Sequence, residues 1–142
     1  MTVICWDGKT LAADKRVSFG TSISTTTKIH RINGMLVGCA GVAANGASCI
    51  QWVRDGMDRS QYPAVQKDDP CSLLVILADG TIHYYSKTAD PLVIECKTFA
   101  IGSGSEFADA ALYLGKTARE AVEVAIALDS GCGNGIDTLD LA

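Results

Sequence analysis

The dipeptide Asn33-Gly34 constrains this chain more tightly than any other pair in it. Before it, Lys28-Ile29-His30-Arg31-Ile32 alternates polar and apolar residues. After it, Met35 to Ala40 is an apolar run ending at Gly41. Asn and Gly both accept positive φ, and the two-residue turn this permits twists in the same sense as the strands it joins. The segment is therefore an antiparallel hairpin. Asp7-Gly8 joins Val3–Trp6 to Thr10–Ala13 in the same way, and Asp79-Gly80 joins Leu73–Ala78 to Thr81–Tyr85. Three hairpins argue against regular alternation of parallel strands and helices.

Between the hairpins the apolar period changes. Ala43, Ala47, Ile50, Val53 and Met57 step by three or four, which predicts one face of a helix. Residues 58–70 are polar, carry Pro63 and Pro70, and read as a connection. The Ser- and Thr-rich stretch Val17–Thr27 reads as extended or loop-like. Lys97–Ile101 predicts a further strand, and Ser105 is a candidate cap for a helix containing Phe107, Ala111, Leu112 and Leu114. Thr117-Ala118-Arg119-Glu120 fits a capping box for a second helix ending near Leu128. Asp129–Gly135 reads as a loop and Ile136–Leu141 as a last strand. The order predicts an α+β chain in layers, with no internal repeat and one domain over residues 1–142.

The net charge of −4 excludes the basic footprint of a nucleic-acid binder or a membrane-surface protein. No apolar run approaches the roughly 20 residues of a membrane span. The start lacks the basic and apolar regions of a secretory signal, so the expected location is the cytoplasm. The six cysteines (5, 39, 49, 71, 96 and 132) form no CxxC pair and no zinc spacing, and read as reduced thiols, most of them in the core. No cofactor is expected. Gly102-Ser103-Gly104 has Phe107 where a dinucleotide fingerprint needs its third glycine, and Gly131–Gly135 precedes a strand rather than a helix. His30 and His83 sit in strands and read as strand residues rather than catalysts.

Thr2 carries the chemistry. Only Met1 precedes it. With Met1 removed, Thr2 offers a hydroxyl nucleophile and, on the same residue, an amine of pKa about 8 that can act as its base. Asp14 ends the second strand, where a carboxylate beside Ala12-Ala13 is no ordinary strand filler, and Lys28 begins a strand after a run of threonines; taken alone, each also reads as a solvated surface charge.

These residues carry a resemblance to a known family, the proteasome β-subunits and the bacterial HslV peptidase, which are N-terminal-nucleophile hydrolases. Thr2-Val3-Ile4 followed by Leu11-Ala12-Ala13-Asp14 resembles the family's opening hairpin. Lys28-Ile29-His30-Arg31 resembles its lysine-bearing strand. Gly38-Cys39-Ala40-Gly41-Val42-Ala43-Ala44 is similar to its glycine-marked helix start. Ile101-Gly102-Ser103-Gly104-Ser105 and Asp129-Ser130-Gly131-Cys132-Gly133 resemble two later signatures. Five motifs in the right order span residues 2 to about 137. Where the family usually has a serine after the late aspartate, this chain has Cys132.

The resemblance implies a four-layer αββα sandwich of two antiparallel sheets. It implies a threonine-type peptidase in which Thr2 attacks a peptide carbonyl, Lys28 favours the alkoxide and keeps the amine neutral, and Asp14 orients Lys28. The Gly41 N–H would face the oxyanion, and Ser103 and Asp129 would position the amine and a relay water. Pocket residues would lie at Arg16–Ser24 and around Ala43–Asn45. The implied substrate is a peptide or unfolded protein, handled inside a homo-oligomeric ring fed by an ATP-dependent unfoldase. The other reading is an inactive structural or assembly relative that retains Met1.

Overall fold

The computed structural model describes residues 1–41, 43–63 and 71–142. Among these residues eleven strands and three α-helices follow one another: β1 (Ile4–Trp6), β2 (Thr10–Asp14), β3 (Arg16–Phe19), β4 (Ser22–Thr25), β5 (Ile29–Ile32), β6 (Met35–Gly41), α1 (Ala43–Arg54), β7 (Cys71–Ile76), β8 (Ile82–Tyr85), β9 (Leu92–Ile94), β10 (Phe99–Ile101), α2 (Ser105–Tyr113), α3 (Ala118–Leu128) and β11 (Ile136–Asp140). The three predicted hairpins form. At Asn33-Gly34 both residues take positive φ, 51° and 78°, and Ile32 faces Met35 across the turn.

Two antiparallel sheets result, ordered β10-β1-β2-β11 and β5-β6-β7-β8-β9. Alternation along their strands builds the layers. Ile4, Trp6, Leu11 and Ala13 point one way and meet Leu36, Leu74, Ile76 and Ile82 of the second sheet. Their neighbours Val3, Cys5 and Ala12 point the other way, against Ala108, Leu112, Ala121, Val122 and Ala125 of α2 and α3. On the far side of the second sheet, Val37, Leu73 and Val75 pack on Cys49, Trp52 and Val53 of α1. Strands covered on both faces need apolar residues at every position, which is why the central runs lack a polar phase. Each fully buried aliphatic side chain contributes about 1.5–3 kcal/mol. The layers stack as helices, sheet, sheet, helix: the αββα sandwich.

Several expectations shift in detail. Val17–Thr27, read as extended or loop-like, is largely extended, with β3, which starts at Arg16, pairing with β4 in a two-stranded hairpin that carries Phe19 and Ile23 into solvent. The capping box at Thr117 and Glu120 forms with both reciprocal bonds. Ser105 is no cap: Gly104 takes that position, without a side-chain bond. The edge strand β9 has too few residues after Pro91 to register as a period. On α1, Ala43 and Ala47 are exposed, while Cys49, Trp52 and Val53 face the sheet. Val42, residues 64–70 with Pro70, and the Ala44 side chain lie outside the described residues. Among the described residues no helix is long and apolar enough to cross a membrane.

Candidate active site

Thr2 lies just before β1 and is 7% exposed. Its backbone is held from two sides. The Thr2 N–H donates to Ser103 Oγ at 3.2 Å, and the Thr2 carbonyl accepts from the Gly104 N–H at 3.1 Å. The approach of the 102–104 turn is close enough that a Cβ on Gly102 would stand 2.1 Å from the Thr2 carbonyl oxygen. Gly102 also has φ 97°, so backbone angle and contact both demand glycine.

The β1–β2 hairpin places Asp14 under Thr2. Asp14 is fully buried, a costly position for a carboxylate unless its oxygens are satisfied. They are. Oδ1 accepts from the Val3 N–H at 3.1 Å and from Lys28 Nζ at 2.8 Å. Oδ2 accepts from the N–H groups of Arg16 and Gly133 at 3.2 and 3.0 Å. Lys28, at the entry to β5, is nearly as buried, its side chain 8% exposed. Its ammonium has three protons and three acceptors: Asp14 Oδ1, Thr2 Oγ1 at 3.2 Å and the Met1 carbonyl at 3.1 Å. The Thr2 hydroxyl thus sits beside a cation locked in place by a buried anion.

A second chain of bonds reaches the Thr2 nitrogen. Ser103 Oγ donates to Asp129 Oδ2 at 2.9 Å. Asp129 accepts the Gly131 N–H at 2.8 Å, and that bond, with the Ser103 hydroxyl, holds its carboxyl below the ordinary range. Cys132 Sγ lies 3.5 Å from Asp129 Oδ2, within reach of a weak S–H bond. Burial pushes the Cys132 thiol up to about 12, so it stays protonated and can donate.

All six residues singled out in the sequence meet in this region. Thr2, Lys28 and Gly41 line a cleft of about 670 Å³, while Ser103 and Asp129 sit behind Thr2. Gly41 ends β6 with φ 128°, two residues before the first residue of α1. Of the stretches expected to hold pocket residues, Arg16–Phe19 and Ala43 line the cleft, and the wall continues through Ala47 and Ile50. Residues 20–24 and Asn45 are not part of the wall.

Arg16 supports the site, a contribution its sequence context does not announce. Its guanidinium bonds to Asn134 Oδ1 at 2.9 Å and the Ser130 carbonyl at 2.8 Å, and lies against Gly133, where an added Cβ would meet it at 2.6 Å. It therefore fixes the loop that supplies Gly133 N–H to Asp14. The cleft wall also holds His30 and Arg54, and burial together with the Arg54 charge lowers the His30 pKa.

Four cysteines are buried and Cys39 half-buried, as expected of core thiols, while Cys96 is exposed. The structure adds that Cys39, Cys49 and Cys71 converge, with Cys49 Sγ and Cys71 Sγ 3.7 Å apart.

No curated protein matches the chain. Solved structures do. The crystal structure of eukaryotic HslV from Trypanosoma brucei superposes with a TM-score of 0.73 at 21% identity, covering 98% of this chain and 97% of that one. Thiobacillus denitrificans BPH matches with a TM-score of 0.70 at 19% identity over 100% and 99% of the two chains. The same protein in complex with epoxomicin gives 0.71 at 18% identity over all of both chains. At these identities the likeness is one of fold. The family model described as "Proteasome subunit" matches residues 1–92, and with it the chain belongs to the proteasome subunit family.

Proposed function

We propose that the chain is a threonine-type endopeptidase that uses Thr2 as nucleophile once Met1 is removed. One observation carries the reading: Thr2 Oγ1 opens on the cleft 3.2 Å from Lys28 Nζ, itself 2.8 Å from the buried Asp14 carboxylate. The freed α-amine, neutral beside the Lys28 charge, takes the hydroxyl proton as Oγ1 attacks a peptide carbonyl. The Gly41 N–H, at the positive end of α1, stabilises the oxyanion. Collapse expels the amine half of the peptide with that proton and leaves an ester on Thr2, which water hydrolyses. Ser103 and Asp129 orient the α-amine, and Asp14 orients Lys28. A structural neighbour, Thiobacillus denitrificans BPH, has been solved in complex with epoxomicin, and ligand binding by a protein of this fold supports the reading.

Peptide or unfolded-protein substrates would reach such sites inside a homo-oligomeric ring, served by an ATP-dependent unfoldase in the cytoplasm. The test is cleavage of small peptides by the assembled, Met1-free protein and by Thr2→Ala. Loss of at least about 1,000-fold in kcat/KM supports the reading; equal cleavage overturns it.

A second reading has its own observation. Met1 is bonded through its carbonyl to Lys28, and its side chain fills the space above Gly131. A chain that keeps Met1 has an amide where the mechanism needs an amine, and would serve as an inactive assembly relative. Intact mass of the protein from its own cell separates the two, since the peptidase must lack Met1.

A further inference from the structure

We propose that Cys39, Cys49 and Cys71 form a binding site for one thiolate-seeking d10 metal ion of the Zn²⁺ class, set behind the wall of the cleft. The three residues come from three elements, which is why no sequence spacing announces them. Cys39 on β6 faces Leu73, and Cys71 on β7 faces Gly41. Cys39 and Cys71 are thus diagonal neighbours on the same, helix-facing side of the sheet. Cys49 descends from the buried face of α1 between them, 1% exposed. All three sulfurs lie within 4.8 Å of one another. An ion about 2.3 Å from each sulfur requires them about 4 Å apart. The 3.7 Å between Cys49 and Cys71 already meets this, and a rotation at Cys39 supplies the rest.

The surroundings suit a soft ion. Trp52, Tyr62 and Tyr85 pack edge-on and stacked, with centroids 4.8 to 6.3 Å apart, and share a cluster with the thiols. This wall keeps the pocket dry on the inner side. Cys39 is only half-buried and lines the cleft, so the ion has a route in and a fourth position open to water. Among the described residues no other three Cys, His, Asp or Glu side chains converge in this way. Ligation would tie α1 to β6 and β7 at the cleft wall, whether or not Thr2 is a working nucleophile.

The test uses the full chain, reduced and anaerobic, with Cys96→Ser to remove the exposed thiol. Cd²⁺, a spectroscopic stand-in for Zn²⁺, is titrated while its ultraviolet thiolate charge-transfer band is followed, and Zn²⁺ is then added in competition. The expected result is saturation at one ion per chain, displaced by Zn²⁺. Cys39→Ser, Cys49→Ser and Cys71→Ser should each weaken binding by at least about 100-fold, and Cys132→Ser should not. Should a serine variant fail to fold, alkylation of the otherwise unaltered protein with and without Zn²⁺ decides: residues 39, 49 and 71 should be protected together. No band, a band that survives all three substitutions, or protection confined to Cys5 or Cys132 overturns the site.

Discussion

Gly102→Ala is the sharpest perturbation this structure offers, because two separate costs can be read from it. Gly102 has φ 97°, where a side chain adds about 1–2 kcal/mol of backbone strain. Its added Cβ would also lie 2.1 Å from the Thr2 carbonyl oxygen and 2.7 Å from the carbonyl carbon, both rigid backbone atoms. Relief requires the two segments to part by roughly 1 Å, an overpacking cost of about 1–3 kcal/mol. Gly115 supplies the control. Its φ is 86°, yet nothing stands within 4 Å of a Cβ built there. Gly115→Ala should therefore lose about 1–2 kcal/mol in urea unfolding, and Gly102→Ala about 2–5 kcal/mol. The activities should separate further. A 1 Å displacement of a reacting group costs about 100-fold in rate, and the shift falls on Thr2 itself. On the peptidase reading, kcat/KM for a small peptide should fall at least about 100-fold in Gly102→Ala and stay within a factor of two in Gly115→Ala. Equal stabilities, or full activity in Gly102→Ala, would refute the claim that this contact positions Thr2.

Three further outcomes follow from the same geometry. Lys28→Met strands the buried Asp14 carboxylate, leaving it only its three backbone donors, and should cost about 3 kcal/mol in urea unfolding; a loss under 1 kcal/mol would mean that those donors alone suffice. Asp129 has a folded pKa below its unfolded value, so its stabilisation is present above about pH 3.9 and is lost as pH falls through the folded value. The stability gap between the unaltered chain and Asp129→Asn should accordingly narrow below about pH 4, and a gap constant from pH 6 to pH 3 contradicts it. The cleft wall carries Arg16, Lys28, His30 and Arg54 and, among the described residues, no carboxylate. Peptides with an acidic side chain at the cleaved residue should be favoured over basic ones by about tenfold or more, the worth of one partly screened charge pair, and a reversed ratio in matched peptides would count against it.

Much of this was legible because local and global signals agree. The dipeptides Asp7-Gly8, Asn33-Gly34 and Asp79-Gly80 sit at their turns, and the box at Thr117 caps α3 with the bonds its spacing implies. The candidate site residues were legible for a different reason: Thr2, Asp14, Lys28, Gly41, Ser103 and Asp129 stand in motifs that resemble those of a known family, in the same order along the chain. What stayed hidden depends on approach between distant segments. Of the five residues stepped from Ala43 to Met57, Val53 is buried against the sheet and Ile50 and Met57 pack beside it, while Ala43 and Ala47 are exposed on the cleft side. Gly102 and Gly133 look like ordinary loop glycines until Thr2 and Arg16 are set against them. The three cysteines at 39, 49 and 71 meet only through the pairing of β6 with β7 and the descent of α1.

The arrangement around Thr2 also bears on what removal of Met1 would change. The Thr2 nitrogen already donates to Ser103 Oγ, which in turn donates to Asp129. Its carbonyl is fixed by Gly104 and its hydroxyl by Lys28. None of these bonds involves an atom of Met1. Cleavage of the Met1–Thr2 bond would therefore leave the nucleophile in its frame, turn the amide nitrogen into an amine at an unchanged position, and release one Lys28 proton from the Met1 carbonyl. On the peptidase reading, that proton would then face the cleft beside the Thr2 oxygen, where negative charge would develop during attack. The Met1 side chain would at the same time vacate the space over Gly131, next to the Asp129 bond that orders the relay. On the peptidase reading, the frame is thus complete before the nucleophile is exposed, and a single bond separates the blocked form from the working one.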